Sequence, residues 1–375
     1  MTLELIATAS FGLEAIVAQE LKELGFENLK VENAKVTFNA SEFAICRTNL
    51  WLRTAYRIRL KIGEFKALTF DELFEETKKL PWHEFLPHNA NFPVEGKSIK
   101  STLYSVPDCQ AIVKKAIVEN MKKKYKKQWF DEDGPLFRIE VSLLNDVASL
   151  TIDTSGLGLH KRGYRKKSSE APLRETLAAG LITISRWNCN SILADPFCGS
   201  GTILIEAALI GHSIAPGIKR TFISENWPWI PKCLWKEART EAYDKIAYNK
   251  ELNILGSDID ESMVSLAREN ATVAGIEKSI HFQRLSLADF HSEKKYGKIV
   301  CNPPYGERLG DLQEVEILYK QMGKVFKNLD TWSFYILTPH TKFEKLFGKK
   351  ASKKRKLYNG RIKVDFYQFY GPSPR

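Results

Sequence analysis

The stretch SILADPFCGSGT at residues 191–202 decides the fold class, because it joins a short apolar run to a glycine turn and a helix start. Such a segment is typical of doubly wound α/β folds, in which a ligand approaches the backbone of the turn. The segment does not match either of two phosphate-binding motifs, the P-loop and the dinucleotide fingerprint. A P-loop has lysine where this chain has Thr202, and the dinucleotide fingerprint has a third glycine where Leu204 stands. Asp195 instead favours a ligand that is cationic or bears hydroxyl groups.

Strands and helices alternate from this stretch towards the C-terminus. The predicted strands lie at residues 191–195, 252–258, 280–285, 298–302 and 333–338. This alternation predicts a doubly wound, mostly parallel sheet of the Rossmann-like type. The dipeptide Asn359-Gly360 stands between two further alternating runs, at 354–358 and 361–370, and predicts that an antiparallel hairpin closes the sheet.

The upstream part of the chain predicts two smaller units. The first 65 residues have the pattern β-α-β-β-α-β, which is the order of a ferredoxin-like unit. The second α/β unit has a predicted strand at 99–106, a helix over about 108–126 and a hairpin turn at Asn145-Asp146. A linker rich in glycine and basic residues follows. The predicted domain ranges are 1–65, 66–155, 156–172 for the linker and 173–375.

The segment CNPPYG at residues 301–306 follows the predicted strand at 298–302 and forms a rigid rim. Two consecutive prolines cannot extend a central strand, and they supply no N–H donor. The rim therefore offers two acceptors, the Asn302 side chain and the Pro303 carbonyl, beside the aromatic ring of Tyr305. This set suits a flat heterocycle with an exocyclic amine, which stacks on the ring and donates its two protons.

The composition predicts a cytoplasmic protein with a polyanionic partner. No run approaches the roughly 18–20 apolar residues of a membrane span, and the first ten residues lack the basic region of a secretory signal. The six cysteines show no Cys-x-x-Cys spacing, so no metal site is expected. The net charge of +11 is concentrated in residues 156–172 and 341–375, which favours nucleic acid as the partner.

The motifs resemble those of a known family. DPFCGSG (195–201), GSDID (256–260) and NPPYGERL (302–309) resemble, in that order, the cofactor and catalytic motifs of amino-directed S-adenosylmethionine-dependent methyltransferases. The upstream segments TASFGLEAIVAQELKELGF, DTSGLGLHKRGYR and APLRETLAAGLI resemble the THUMP-domain RNA methyltransferases. Nearly the whole chain is similar to the bacterial group that methylates guanine N2 in large-subunit ribosomal RNA. The NPPY motif alone is shared with adenine-N6 DNA methylases, so it does not identify the base.

The resemblance implies a fold, a cofactor and the residues that bind it. It implies a Rossmann-like class I methyltransferase domain, preceded by a ferredoxin-like domain and by a THUMP-like RNA-binding domain at 66–155. The cofactor would be S-adenosylmethionine and its product S-adenosylhomocysteine. Asp258 would hold the ribose hydroxyls, and Asp289 would contact the adenine amine. The residues implied to wrap the methionine part are Asp195, Cys198, Gly199 and Gly201, and those implied to be catalytic are Asn302, Pro303, Pro304 and Tyr305.

The basic residues of the linker are predicted to follow the phosphates of the RNA between the two halves of the protein. They are Lys161, Arg162, Arg165, Lys166 and Lys167. The basic cluster at 349–356 near the C-terminus is a candidate extension of this surface. The expected partner is RNA, most simply ribosomal RNA, with no membrane, no metal and no obligate protein partner.

The sequence leaves several alternatives open. One is an adenine-N6 methylase that acts on DNA, another is a guanine-N2 methyltransferase of transfer RNA, and a third is an RNA-binding protein whose methyltransferase domain is inactive. A nicotinamide oxidoreductase is disfavoured by the missing third glycine. The long stretch at 215–250, with Trp227, Trp229 and Trp235, either covers the active site or extends the core, and a lid or substrate wall is the favoured interpretation.

Overall fold

Two seven-stranded sheets organise the chain in the computed structural model, which describes residues 2–165, 173–306 and 311–373. The first sheet begins with the predicted β-α-β-β-α-β unit. Its elements are β1 (Leu3–Ala9), α1 (Glu14–Glu23), β2 (Lys30–Glu32), β3 (Lys35–Ala40), α2 (Glu42–Trp51) and β4 (Ala55–Lys66). α1 forms because Val17, Ala18 and Leu21 recur at helical spacing and are buried in the core of this sheet.

The second unit continues the same sheet. Its elements are α3 (Phe70–Lys79), α4 (Trp82–Phe85), β5 (Val94–Ile99), α5 (Val106–Tyr125), β6 (Ile139–Leu144) and β7 (Val147–Asp153). The strand order is β2-β3-β1-β4-β7-β6-β5, because β4 pairs with β1 on one side and with β7 on the other. The two units that the sequence separates therefore share one sheet and one hydrophobic core. The predicted hairpin turn at Asn145-Asp146 is confirmed, and both residues have positive φ.

The strand predicted at 99–106 is wrong. β5 ends at Ile99, and residues 100–105 form the loop that leads into α5. β5 is the last strand of its sheet, and alternate residues such as Glu95 and Lys97 are exposed. An edge strand of this kind carries few apolar residues, so a search for apolar alternation places it too late in the sequence.

The C-terminal sheet has the predicted architecture. Its elements are α6 (Glu175–Ser185), β8 (Leu193–Asp195), α7 (Thr202–Gly211), α8 (Lys232–Asp244), β9 (Ile254–Asp258), α9 (Glu261–Ala274), β10 (His281–Arg284), β11 (Lys298–Cys301), α10 (Asp311–Lys327), β12 (Ser333–Thr338), α11 (Phe343–Phe347), β13 (Lys353–Asn359) and β14 (Ile362–Phe369). The order is β10-β9-β8-β11-β12-β14-β13. The first five strands are parallel, and the closing hairpin is antiparallel. A Rossmann-like fold behind a ferredoxin-like module is confirmed.

The stretch at 215–250 joins the two sheets and is not a lid. Trp227 is buried and stacks on Phe137 of the N-terminal core, with ring centroids 4.7 Å apart. Trp235 on α8 stacks on Phe222, with centroids 5.4 Å apart. The guanidinium of Arg47 on α2 donates two 2.8 Å hydrogen bonds to the carboxylate of Glu241 on α8. The favoured interpretation as a lid or substrate wall is therefore wrong, because these aromatic side chains extend the N-terminal core. Among the residues described, no helix is both long and apolar enough to cross a membrane.

Candidate active site

The glycine turn after β8 is shaped by two residues in the left-handed region. Gly199 has φ +49° and Gly201 has φ +80°, conformations that residues with a Cβ seldom adopt. A Cβ on Gly199 would meet no atom within 4 Å, so this side of the turn is open. A Cβ on Gly201 would lie 3.0 Å from the Cβ of Ala267, which packs α9 against the turn. Gly199 therefore leaves room for a ligand, and Gly201 allows close packing.

Asp258 lies directly against this turn. It ends β9, the strand next to β8, and its Oδ2 accepts a 2.9 Å hydrogen bond from the Gly199 amide. Its Oδ1 accepts a 3.1 Å bond from the amide of Asp260, and the side chain is half-buried. Asp260 itself caps α9 by accepting a 2.8 Å bond from the Ser262 amide. Asp258 is therefore the carboxylate at this edge that is held in place and still partly accessible.

Asp195 is buried at the end of β8 and is only 2% exposed. Its Oδ1 accepts a 3.0 Å hydrogen bond from the Phe197 amide. Burial, together with the nearby charge of Asp258, raises the pKa of Asp195 from 3.8 to about 8. Burial and the same two carboxylates raise the pKa of the Cys198 thiol well above its ordinary value, so this thiol stays neutral. A cationic ligand beside this pair would favour the ionised form of Asp195.

Asp289 lies further along the same edge of the sheet. It follows β10, which pairs with β9 in parallel register, and it ends a short 3₁₀ turn over Leu287–Asp289. Its side chain is exposed. The carboxyl ends of β8, β9 and β10 thus place three aspartates in order along what we call the catalytic edge. This is the position at which open α/β sheets bind their ligands.

The Asn-Pro-Pro-Tyr rim lies on the other side of β8. Asn302 follows β11, which pairs with β8, and its side-chain carbonyl accepts a hydrogen bond from the hydroxyl of Tyr305. Pro303 is buried and Pro304 is exposed. The chain therefore brings an amide acceptor and an aromatic ring to the same edge as Asp195. Residues 307–309 of the motif lie outside the described residues.

Tyr319 supports this rim and was missed in the sequence. Its hydroxyl on α10 donates a 2.9 Å hydrogen bond to the Pro304 carbonyl and lies 2.9 Å from Oγ1 of Thr338, the last residue of β12. Tyr319 is fully buried. The available signal was a tyrosine on the apolar face of a helix, where its hydroxyl requires a partner.

Two of the predicted RNA-binding arginines form ion pairs inside the fold, Arg162 as a buried residue and Arg165 as a partly buried one, which corrects their assignment. Arg162 is 4% exposed, forms a 3.3 Å ion pair with Glu206 on α7 and donates to the backbone carbonyl of Leu159 at 2.5 Å. Arg165 donates a 2.6 Å bond to the hydroxyl of Thr202 and pairs with Glu175 at 3.5 Å. Both guanidinium groups are committed to carboxylates inside the fold, so they are not available to RNA phosphates.

Lys161 is the remaining described member of the predicted linker surface, and it is exposed. Lys166 and Lys167 lie outside the described residues. Glu206, the partner of Arg162, was missed in the sequence. The signal for it is clear in retrospect, because it is the one charged residue of the otherwise apolar helix TILIEAALIG. A lone acid there indicates a buried cation as its partner.

Removal of the Arg162 charge tests this buried pair. Arg162→Met should lower the free energy of unfolding by about 3–5 kcal/mol, because Glu206 would remain buried without its cation. Denaturant unfolding measures the change. The matched control is Lys161→Met at the exposed neighbouring position, where we expect less than about 0.5 kcal/mol. Equal effects of the two substitutions would contradict the assignment.

No group of His, Cys, Asp or Glu in the described ranges is arranged to hold a metal ion. The candidate site is built from carboxylates, a glycine turn and an amide acceptor. Carboxylates beside a glycine turn fit a cofactor with hydroxyl groups and positive charge. Asn302 and Tyr305 fit a planar amine.

Comparison with protein families identifies the family to which the chain belongs. Residues 162–368 match the family described as the RMKL-like methyltransferase domain. The chain belongs to this family. Residues 4–59 match the RlmL ferredoxin-like domain, and residues 67–153 match the THUMP domain. The resemblance to the THUMP-domain methyltransferases is thereby confirmed.

Individual relatives extend over almost the entire chain. YpsC of Bacillus subtilis (strain 168) is 55% identical over 368 residues, which cover 98% of this chain and 95% of YpsC. Ribosomal RNA large subunit methyltransferase K/L of Shewanella frigidimarina is 34% identical over 98% of this chain. The match covers 53% of that relative, so this chain spans about half of its length.

Solved structures agree on the fold, and one of them contains the product form of the cofactor. SMU.472, crystallised with S-adenosylhomocysteine, superposes with a TM-score of 0.95 at 47% identity and covers 100% of this chain and 99% of its own. A Listeria monocytogenes protein, described as a predicted N6-adenine-specific DNA methylase, has a TM-score of 0.95 at 54% identity over 99% and 97% of the two chains. These relatives confirm S-adenosylmethionine as the cofactor of this methyltransferase. The name of the Listeria protein specifies adenine in DNA, whereas the name of the Shewanella relative specifies ribosomal RNA and no base.

Proposed function

We propose that this methyltransferase transfers the methyl group of S-adenosylmethionine to the exocyclic N2 of a guanine in large-subunit ribosomal RNA. The observation that carries the proposal is the position of Asn302 and Tyr305, one strand away from Asp195 at the catalytic edge. The name of the K/L relative supports ribosomal RNA as the substrate. The ferredoxin-like and THUMP units, which form one sheet, supply a surface beyond the active site for a large RNA.

The cofactor would occupy the pocket between the glycine turn and the three aspartates. Asp195, Cys198 and the two turn glycines, Gly199 and Gly201, would surround its methionine part. Asp258 would accept hydrogen bonds from the ribose hydroxyls, and charge-assisted bonds of this kind contribute about 1.5–3 kcal/mol each. Asp289 would accept from the adenine amine. When bound, the cofactor supplies a methyl group on a sulfonium sulfur, which is already activated for transfer.

The protein's own task is to align and polarise the acceptor amine. The guanine N2 lone pair is delocalised into the ring, so N2 is a weak nucleophile. The side-chain carbonyl of Asn302 and the carbonyl of Pro303 would accept both N–H bonds and stabilise the positive charge that develops on nitrogen. As the N–C bond forms, the S–C bond breaks with its electron pair on sulfur, and N2 then loses one proton to solvent. Alignment for this in-line displacement is the main requirement.

The hydroxyl of Tyr305 occupies the Asn302 acceptor in the described structure. A bound base would replace this hydroxyl at the acceptor with its own amine. The ring of Tyr305 would then be available to stack on the base.

Tyr319→Phe tests whether the rim must be held in position. We expect kcat to fall about tenfold with unchanged cofactor affinity, because the hydroxyl anchors the Pro304 carbonyl and small displacements of reacting groups are costly. Single-turnover methylation and calorimetry measure the two quantities. Tyr367→Phe is the matched control, because it also removes a buried tyrosine hydroxyl, 3.3 Å from the His340 carbonyl. A similar loss of kcat in both variants would indicate a general packing effect.

Transfer of labelled methyl groups to competing nucleic acids tests the substrate class. The purified protein is incubated with labelled cofactor and, separately, unmodified large-subunit ribosomal RNA, transfer RNA and double-stranded DNA. We expect incorporation into the ribosomal RNA and background levels in the other two. Incorporation into DNA would instead support the second candidate, adenine-N6 methylation, which the NPPY motif and the name given to the Listeria protein favour.

A further inference from the structure

A second cleft opens on the side of the C-terminal sheet opposite the catalytic edge. It has a volume of about 1620 Å³ and lies where β8, β11 and β12 begin, as shown by Ile192, Lys298 and Ser333 among its lining residues. Helices α1 and α6 and the β13–β14 hairpin also contribute side chains. None of the proposed cofactor or catalytic residues lines it. We call it the amino-edge cleft.

The charge of the amino-edge cleft differs from that of the chain as a whole. Eight lysine and arginine side chains line it, against two acidic side chains, Glu20 and Glu23. The whole chain has 56 basic and 45 acidic residues, so the lining of the cleft is far more basic than the chain as a whole. Concentrated positive charge in a concave surface attracts a polyanion.

Several of these cations have no carboxylate partner within the described ranges. The ammonium group of Lys298 donates to the backbone carbonyls of Ser185, at 2.8 Å, and Arg186, at 2.5 Å. Burial and the nearby guanidinium of Arg186 lower the pKa of Lys298. No described carboxylate forms an ion pair with Arg186, Lys295, Lys298 or Lys353. An anion in the cleft would relieve the repulsion between these cations.

Aromatic side chains stand among the cations. Tyr296 and Tyr370 are 38% and 49% exposed and line the cleft. Tyr335 also lines it, with its ring centroid 6.4 Å from that of Tyr370. Alternating cations and exposed rings are characteristic of surfaces that bind single-stranded nucleic acid, where phosphates pair with the cations and bases stack. A pocket for a small phosphate-bearing molecule is usually smaller, about 300–1,000 Å³.

We propose that the amino-edge cleft binds a single-stranded segment of the RNA substrate at a distance from the methylated base. The proposal rests on the proposed function, because it assigns a further binding site to the same RNA. β11 runs from Lys298 at the cleft to Cys301, beside Asn302. At about 3.3 Å per residue, the two sites are separated by roughly 13 Å through the sheet. An RNA strand in the cleft must therefore pass around the protein to reach the catalytic edge, so the cleft contributes affinity rather than chemistry.

The basic cluster at the C-terminus fits this arrangement. The sequence predicts it as a candidate RNA surface, and the structure places most of it on β13, the edge strand of the sheet. Lys353 and Arg355 line the cleft, and Lys354 and Lys356 are exposed. The cluster therefore continues the positive surface from the cleft along the edge of the sheet.

A triple substitution, Arg186→Gln, Lys295→Gln and Lys353→Gln, removes three exposed charges from the cleft. Lys298 is kept because it bonds to the backbone and supports the fold. The control removes three exposed lysines elsewhere: Lys232→Gln, Lys236→Gln and Lys278→Gln. Binding of an unmodified large-subunit RNA fragment is measured against salt concentration. Cofactor titration and single-turnover methylation at saturating RNA are measured alongside.

We expect the cleft variant to bind RNA at least tenfold more weakly and to lower the salt slope by about two, since each lost phosphate contact removes about 0.7 for a single strand. Cofactor affinity and the single-turnover rate should not change, and the control should retain the affinity and slope of the parent. Equal losses of RNA affinity in both variants, or no loss in either, would overturn the proposal that the cleft binds RNA.

A competition arm identifies the source of the phosphate. Inorganic phosphate and a mononucleotide at up to millimolar concentration should not displace the RNA. Displacement by the mononucleotide at micromolar concentration would show that the cleft binds a nucleotide and not RNA.

The outcomes distinguish the two proposals. If the unsubstituted protein methylates the RNA while the cleft variant binds RNA normally, only the proposed role of the amino-edge cleft is wrong. If the unsubstituted protein neither binds nor methylates any RNA, the proposed function is wrong, and the proposed role of the cleft, which rests on it, is wrong as well.

Discussion

Asn302→Ala is expected to lower the turnover of the methyltransferase by about 10²-fold or more while leaving the affinity for S-adenosylmethionine within about twofold. The reason is that the proposed acceptor acts on the charge that develops on nitrogen during transfer, and removal of one such group typically has this effect. Asn302 follows β11 and lies beside, not within, the turn that contacts Asp258. The cofactor pocket should therefore remain intact.

Single-turnover methylation at saturating RNA measures the first quantity, and calorimetry of the free protein with cofactor measures the second. Tyr305→Phe serves as the matched control, because it removes the hydroxyl that donates to Asn302 but keeps the aromatic ring. We expect that variant to retain turnover within about tenfold. Unchanged turnover in Asn302→Ala would refute the assigned role. Loss of cofactor binding would show that Asn302 belongs to the cofactor pocket and not to the acceptor for the base.

Asp195→Asn is expected to weaken cofactor binding by at least tenfold and to remove its pH dependence. Because the pKa of Asp195 is raised to about 8, this carboxyl is largely protonated in the free protein at pH 7. A cationic cofactor favours the carboxylate, so binding should release close to one proton near pH 7. Affinity should accordingly increase with pH until the pH passes about 8. Calorimetry in buffers of different ionisation enthalpy counts the protons.

The same substitution should stabilise the free protein at alkaline pH. In the unfolded chain Asp195 ionises near 3.8, and in the folded chain near 8, so the folded state holds the extra proton between these values. Its contribution to stability therefore falls as pH rises from about 4 to 8. The melting temperature of Asp195→Asn at pH 8.5 should exceed that of the parent, with a smaller difference at pH 5. Equal melting temperatures of the two proteins at pH 8.5 would contradict the raised pKa of Asp195, and so would an affinity of the parent for S-adenosylmethionine that does not change between pH 6 and 8.

The order of the elements and the catalytic edge are predictable from sequence because they depend on local signals. β12 matches its predicted range, Ser333–Thr338, and the predicted closing hairpin is present. Asp195, Asp258 and Asn302 come together because each ends or follows a buried strand, and parallel strands end at one edge of a sheet.

What the sequence did not reveal depends on partners that are distant along the chain. A basic motif containing Arg162 has the composition of a phosphate-binding surface, and only the fold brings Glu206 to it, 44 residues later. Trp227 has no local signal for stacking on Phe137, 90 residues upstream in another unit. The hydroxyl of Tyr319 finds the Pro304 carbonyl through the packing of α10. Burial and long-range pairing decide these roles, and neither follows from composition or periodicity.

The identity of the methylated nucleoside tests the proposed reaction directly. Large-subunit ribosomal RNA from cells that lack this protein is incubated with the purified protein and labelled S-adenosylmethionine, digested to nucleosides and separated by chromatography with mass detection. We expect the label to be recovered as N2-methylguanosine. Recovery as N6-methyladenosine, or label confined to another nucleoside, would contradict it.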